Sequence, residues 1–152
     1  MCTGNTCRSP MAAALFERLA GDEPGLAGVE LHVVSAGLQA RAGQPAAEKA
    51  VQVGRDFGLD LSGHASRVFD EQLAAAELIL TMTESQKSEI IVRFPHAAAN
   101  VYTLKEYAGG RGDHDIADPF GGDDEAYKRA FLEIRQAVMR ALKRLKQELE
   151  TE

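Results

Sequence analysis

Cysteine is scarce in this sequence: there are two, Cys2 and Cys7, both within the first seven residues. A secreted domain stapled by disulfides would carry more, spread along the chain. A disulfide framework is therefore excluded, and a cytoplasmic setting is expected. Excess positive charge is also missing. The formal net charge is −6, which argues against broad binding to nucleic acid or to an anionic membrane. Long apolar runs are absent as well. Met11–Phe16 stops at Glu17, far short of a membrane span, and Met1–Pro10 lacks the basic start and apolar run of a secretory signal. Zinc-ligand spacing is not found either: the cysteines stand alone, and His32, His64, His96 and His114 are scattered. Neither a metal nor a cofactor is expected. No repeat or linker divides the chain, so residues 1–152 are read as a single domain.

What is present is the composition of a globular protein, 45% hydrophobic and 26% charged. At this length the fold should bury roughly 68–70% of the surface that the unfolded chain exposes. Ser9-Pro10 predicts a helix start, with serine as N-cap and proline in the first turn, and good helix formers follow through Ala20. Pro24-Gly25 predicts a turn, and Glu30–Ala36 reads as a short strand closed by Gly37. Ala46–Phe57 reads as a helix with Gly58 as its terminator. Asp70–Ala76 reads as a short helix capped by Asp70. Leu78–Met82 and Val101–Leu104 read as strands, the first by its continuous apolar character. Glu84–Phe94 reads as a helix ended by Pro95, and Ala108–Asp124 as a loop. A long final helix over Asp124–Leu149 carries Tyr127, Phe131, Ile134, Val138, Leu142, Leu145 and Leu149 at helical spacing, a face for core packing. Alternating strands and helices imply an α/β fold with a small parallel sheet flanked by helices. In such folds ligands bind where strand ends meet helix N-termini, and Cys2–Ser9 lies just before the first helix.

That segment, Cys2-Thr3-Gly4-Asn5-Thr6-Cys7-Arg8-Ser9, carries chemistry. A helix N-terminus presents unpaired N–H groups and the positive end of a dipole, so it stabilises anions. A thiol held there is favoured as the thiolate, the nucleophilic form. Gly4 and Asn5 tolerate left-handed backbone angles, which let a loop turn its amides inward. Arg8 offers a planar fork that matches two phosphate oxygens. The loop thus combines a nucleophile (Cys2), a phosphate cradle (Thr3, Gly4, Asn5, Thr6, Cys7) and a charge clamp (Arg8).

Cys-x-Gly-Asn-x-Cys-Arg-Ser-Pro resembles the loop of the low-molecular-weight protein phosphatase family. The resemblance extends to Ser35-Ala36-Gly37 and Asp118-Pro119-Phe120, and so to nearly the whole chain. It implies that Cys2 is the nucleophile, Arg8 binds the phosphoryl group and Asp118 is the general acid. It further implies that Ser9, Ser35 and His64 join Asn5 in holding the loop in shape. The chemistry suits these roles. Attack by Cys2 makes a phosphocysteine, turning one difficult displacement into two easier ones. Loop amides and Arg8 stabilise the phosphoryl oxygens in both, and Asp118 supplies and then recovers a proton. Pro119 biases Asp118 toward extended backbone. Against this stand plainer readings, since an aspartate before proline commonly starts a turn and a terminal cysteine is commonly only a thiol.

Within the family, Thr6, Asp118-Pro119-Phe120-Gly121-Gly122 and Thr103-Leu104-Lys105-Glu106-Tyr107 resemble the bacterial protein-arginine phosphatases. Tyrosine-specific relatives tend to carry a bulky aliphatic residue at the position of Thr6. Threonine can hydrogen-bond a substrate where an aliphatic side chain only fills space, so Thr6 and Phe120 are expected to set specificity. Asp113 and Asp115 are read mainly as a solvated acidic loop. Cys7 is read as a redox partner for Cys2, because a curled loop can bring the two Cα atoms within ~4.4–6.8 Å. The expected substrates are phosphorylated proteins. The alternatives are a protein-tyrosine phosphatase of the same fold and a phosphate-binding module without catalysis. An arsenate reductase is discounted, since no cysteine follows Cys7 to relay a disulfide. One departure remains: relatives place an apolar strand before the nucleophile, whereas only Met1 precedes Cys2. If that strand is missing, its two neighbours would stand roughly 9.5 Å apart with unpaired backbone groups, and the recorded chain would begin too late.

Overall fold

The computed structural model describes residues 1–152. Two strands, β1 (Ile79–Thr81) and β2 (Val101–Thr103), pair in parallel with Ile79 opposite Val101. Beyond β1 the chain start occupies the next slot. The Met1 amino group donates to Leu80 O at 2.9 Å, and Met82 N–H donates to Met1 O at 3.1 Å. On its far side Cys2 bridges Gly37, and Gly37 bridges Val68, each in parallel. The strand that relatives carry before the nucleophile was expected to be missing; Met1 and Cys2 stand in its slot, and the neighbours on either side are joined through them.

This short slot explains a correction. Glu30–Ala36 forms no strand; its extended backbone meets the sheet only at Gly37. A ladder needs a partner along its length, and Met1–Cys2 offers one residue's worth. Val34 is exposed.

Six helices follow local signals. They are α1 (Arg8–Asp22), α2 (Glu48–Asp56), α3 (Glu71–Ala74), α4 (Glu84–Arg93), α5 (Leu104–Tyr107) and α6 (Asp124–Glu150). Asp70 caps α3 by accepting from Leu73 N–H. Thr83 and Gln86 make a reciprocal capping box on α4, and Asp123 caps α6. After α2, Gly58 takes a left-handed φ of 79°, and its N–H and that of Leu59 close onto Arg55 O and Gly54 O, the paired bonds of a Schellman ending. The turn α5 was not expected from sequence; Thr103 caps it through Glu106 N–H at 3.0 Å.

Strand alternation divides the core between two faces. Ile79 and Val101 join Ala36, Leu38, Phe69, Ala74 and Ile90 under α3 and α4. Leu80 and Tyr102 face the larger cluster, where Met11 and Leu15 of α1 meet Phe131, Ile134 and Val138 of α6. The apolar stripe of α6 packs as its spacing predicted, with Tyr127 through Leu142 buried and Leu145 and Leu149 partly so. The arrangement is an α/β fold with helices on both faces of a small parallel sheet, and it aims the N-terminus of α1 at the end of the central slot.

Candidate active site

Cys2–Cys7 curls around the N-terminus of α1. Asn5 makes the curl possible, holding a left-handed φ of 56°, a conformation that asparagine tolerates better than most residues. Its N–H donates to Cys2 Sγ at 3.2 Å. Its carbonyl points the other way, accepting from Ser66 Oγ–H at 2.9 Å and from His64 Nε2–H at 2.6 Å. The amides of Gly4, Thr6, Cys7 and Arg8 donate to no protein acceptor. They supply the unpaired donors that an anion would take.

The Asn5 side chain is fully buried and bonded at every atom that can bond. Its Oδ1 accepts from Arg67 N–H at 2.9 Å, which fixes the orientation of the amide. Nδ2 then donates to Ser9 Oγ at 2.8 Å and Ser35 Oγ at 3.0 Å. Ser9 Oγ lies 2.9 Å from Cys2 Sγ. Since that oxygen already accepts from Asn5, its own hydrogen is free to face the sulfur. Ser9 is thus not the N-cap expected of it. It sits inside α1, Cys7 holds the cap position, and no side chain caps this helix. The first-turn amides stay uncommitted as a consequence.

Gly37 supports the loop by having no side chain. A Cβ there would stand 2.6 Å from Thr3 O and 2.9 Å from Asn5 N, so the loop backbone can pass this close only over glycine. Gln86 Nε2 adds a bond to Thr3 Oγ1 at 3.2 Å, and Ala47 N–H holds Thr6 O at 2.8 Å.

Arg8 is nearly fully buried. One arm donates to Ile116 O at 2.8 Å, and the other faces Asp118 Oδ2 at 3.4 Å. Ile116 is itself buried, with its N–H on Met82 O, so the acidic segment is pinned beside the loop. Asp118 is 52% exposed at its side chain, and its Oδ1 accepts from Phe120 N–H. Phe120 is 74% exposed on the rim. Asp113 and Asp115 turn toward backbone instead, bonding Asp115 N–H and Glu84 N–H.

Thr6 Oγ1 is 3.7 Å from Cys7 Sγ, and Tyr127 Oη lies 3.3 Å from the same sulfur. Burial pushes the Cys7 thiol up, partly offset by these hydroxyls, and burial also raises the Tyr127 phenol. Sequence reasoning missed Ser66, the Arg67 amide, Ile116 and Tyr127. None lies in a motif, and all four act through a backbone group or a single hydroxyl. Away from the loop, Glu84, Glu106 and His114 bring ligand atoms within 4.8 Å of one another, but Lys87 already bonds both oxygens of Glu106.

Similarity to known proteins agrees with this geometry. The protein-arginine-phosphatase of Geobacillus stearothermophilus is 41% identical over 148 residues, covering 97% of this chain and 95% of that one. A solved YwlE arginine phosphatase mutant with a phosphorylated active-site serine superposes with a TM-score of 0.88 at 37% identity, covering 99% and 96%. A low molecular weight protein tyrosine phosphatase from T. tengcongensis gives 0.84 at 35% identity, covering 93% and 94%. The family model described as low molecular weight phosphotyrosine protein phosphatase matches residues 1–151. With a loop, a buried arginine and an acidic turn arranged around one helix end, this chain belongs to the low molecular weight phosphotyrosine protein phosphatase family.

Proposed function

We propose that the protein hydrolyses phosphoarginine in proteins through a phosphocysteine at Cys2. The observation that carries the reading is the meeting of Arg8 with Asp118 beside the loop that holds Cys2. Clamp and nucleophile share one loop, and the carboxyl meets the clamp from a segment far along the chain. A phosphoryl group seated there takes the unpaired amides of Gly4, Thr6 and Cys7 and both arms of Arg8. The Cys2 thiolate attacks phosphorus; a P–S bond forms as the P–N bond breaks, and the Asp118 carboxyl gives its proton to the departing nitrogen. Water then attacks phosphorus, Asp118 takes a proton from it, and the P–S bond returns its electrons to Cys2. Asn5, Ser9, Ser35 and His64 hold the loop in shape for both steps.

Two similarities support phosphoarginine over phosphotyrosine: the arginine phosphatase relative named above, and Thr6, whose hydroxyl lies 3.7 Å from Cys7 Sγ in the loop. Exposed Phe120 favours the second reading, a tyrosine phosphatase, because its ring could stack on an aryl group. Replacing Thr6 by isoleucine and measuring kcat/KM on phosphoarginyl and phosphotyrosyl protein separates the two. Preference should move toward phosphotyrosine by about tenfold, a difference of ~1.4 kcal/mol in transition-state binding. Equal loss on both substrates removes Thr6 from the specificity argument. A Cys2→Ser protein that still released phosphate would end the catalytic reading itself. The substrates proposed are phosphorylated proteins of the cytoplasm.

A further inference from the structure

The turn bearing Asp118 is anchored by buried Ile116 and Pro119, but its carboxyl stands at the surface, where it must be aimed. Asp118 and Phe120 are exposed, and Gly121 takes a left-handed φ of 76°. The turn is closed internally by Gly122 N–H on Pro119 O at 2.8 Å. Besides buried Pro119, two charged side chains reach it from elsewhere in the protein. One is Arg8, whose arm faces Asp118. The other is Lys49, in the first turn of α2, whose Nζ donates to Gly122 O at 2.9 Å and faces Asp124 at 3.7 Å. Two residues earlier, Ala47 N–H holds Thr6 O. The start of α2 therefore grips the phosphate loop with one residue and the acidic turn with another. A bound phosphoryl group competes with Asp118 for the Arg8 fork, since both present oxygen acceptors to it. The Lys49 bond to a carbonyl meets no such competition.

We propose that Lys49 is a positioning residue for Asp118, and that the first turn of α2 acts as a bracket setting the gap between the nucleophilic loop and the proton donor. This rests on the reading of Asp118 as the acid. General acid catalysis matters most when the leaving group is a poor one, so the bracket should show itself in leaving-group dependence rather than in binding.

The test compares kcat/KM for p-nitrophenyl phosphate, whose phenolate leaves easily, with phenyl phosphate, whose phenolate does not. Lys49→Met keeps the aliphatic stem and removes the ammonium. Given that a general acid supplies about 10²–10⁴-fold, a displaced one should lose ~10-fold on phenyl phosphate and under ~2-fold on p-nitrophenyl phosphate. Inhibition by inorganic vanadate should stay unchanged, and Lys49→Arg should restore the phenyl phosphate rate. Asp118→Asn serves as the reference and should show a larger discrimination of the same sign. If Asp118→Asn discriminates and Lys49→Met lowers both substrates equally, or neither, the bracket is wrong while the acid assignment stands. If Asp118→Asn itself fails to discriminate, the acid assignment falls, and the bracket with it.

Discussion

Ser9 Oγ lies 2.9 Å from Cys2 Sγ and at the same time accepts from Asn5 Nδ2 at 2.8 Å. With one lone pair engaged, the hydroxyl can turn its hydrogen to the sulfur, the arrangement that suits a thiolate. The chain of bonds runs from Arg67 N–H through the Asn5 amide and Ser9 to Cys2, so a backbone donor outside the loop fixes how the Asn5 amide faces Ser9.

A donor on the sulfur matters most when the sulfur leaves. Ser9→Ala should therefore slow breakdown of the phosphocysteine more than its formation. Loss of one hydrogen bond to a charged group, ~1.5–3 kcal/mol, corresponds to about a 10–100-fold slower second step. Stopped-flow measurement with p-nitrophenyl phosphate should show a burst of phenolate followed by a slow steady state. A uniform slowing of both phases would count against the role of the hydroxyl.

Gly37 has no tolerance for a side chain, because the atoms a Cβ would strike are backbone atoms of Thr3 and Asn5. Gly37→Ala should lower stability by ~1–3 kcal/mol, the usual cost of overpacking, and weaken vanadate inhibition as the loop is displaced. Urea unfolding and inhibition constants measure the two effects. Gly63→Ala, with nothing within 4 Å of the added carbon, is the control and should change neither.

His114 places both ring nitrogens against acceptors, Nδ1 on a Glu84 carboxylate oxygen at 2.9 Å and Nε2 on Gly110 O at 3.0 Å. Only the doubly protonated ring can donate to both. These partners, Glu84 first, raise its pKa above the ordinary histidine value, with Glu106 adding to the effect. A raised histidine stabilises at pH below its unfolded value and loses that contribution as pH climbs through its folded value. The attachment of the 110–115 segment to α4 should therefore weaken from neutral pH upward. Trypsin cleavage after exposed Arg111, corrected for the protease's own pH profile, should accelerate over that range in the parent. In His114→Gln it should be pH-independent; a parent without the trend would refute the role of His114 in attaching the segment.

Cys7 is buried against Tyr127 and its thiol is pushed up, which makes it a poor first target for peroxide. Oxidation is expected to begin at Cys2, giving a sulfenic acid and water. The Cys7 sulfur then attacks that sulfur, forming the disulfide and releasing a second water. Activity lost to peroxide should return with dithiothreitol in the parent but not in Cys7→Ser. Full recovery by Cys7→Ser would dispose of the disulfide.

The loop from Cys2 to Ser9 was legible because its chemistry is local: a nucleophile, flexible residues and a guanidinium, all within reach of one helix end. Caps at Asp70, the ending at Gly58 and the stripe of α6 were legible for the same reason, since neighbours three or four residues apart decide them. The segment Glu30–Ala36 was misread because a strand depends on its partner, and that partner is the two-residue slot at Met1–Cys2. The N-cap assigned to Ser9 failed because its hydroxyl is taken by the buried Asn5 amide, itself oriented by Arg67 N–H from far along the chain.

By itself the amino-acid sequence determined the reactive groups, their order around the helix end and the class of fold. It did so through short-range rules of backbone sterics and capping. Only the tertiary structure decided how far Asp118 stands from Arg8, which donors turn the Asn5 carbonyl outward, and that α2 reaches both halves of the site. Those facts are distances between segments far apart along the chain, and packing of the whole core sets them.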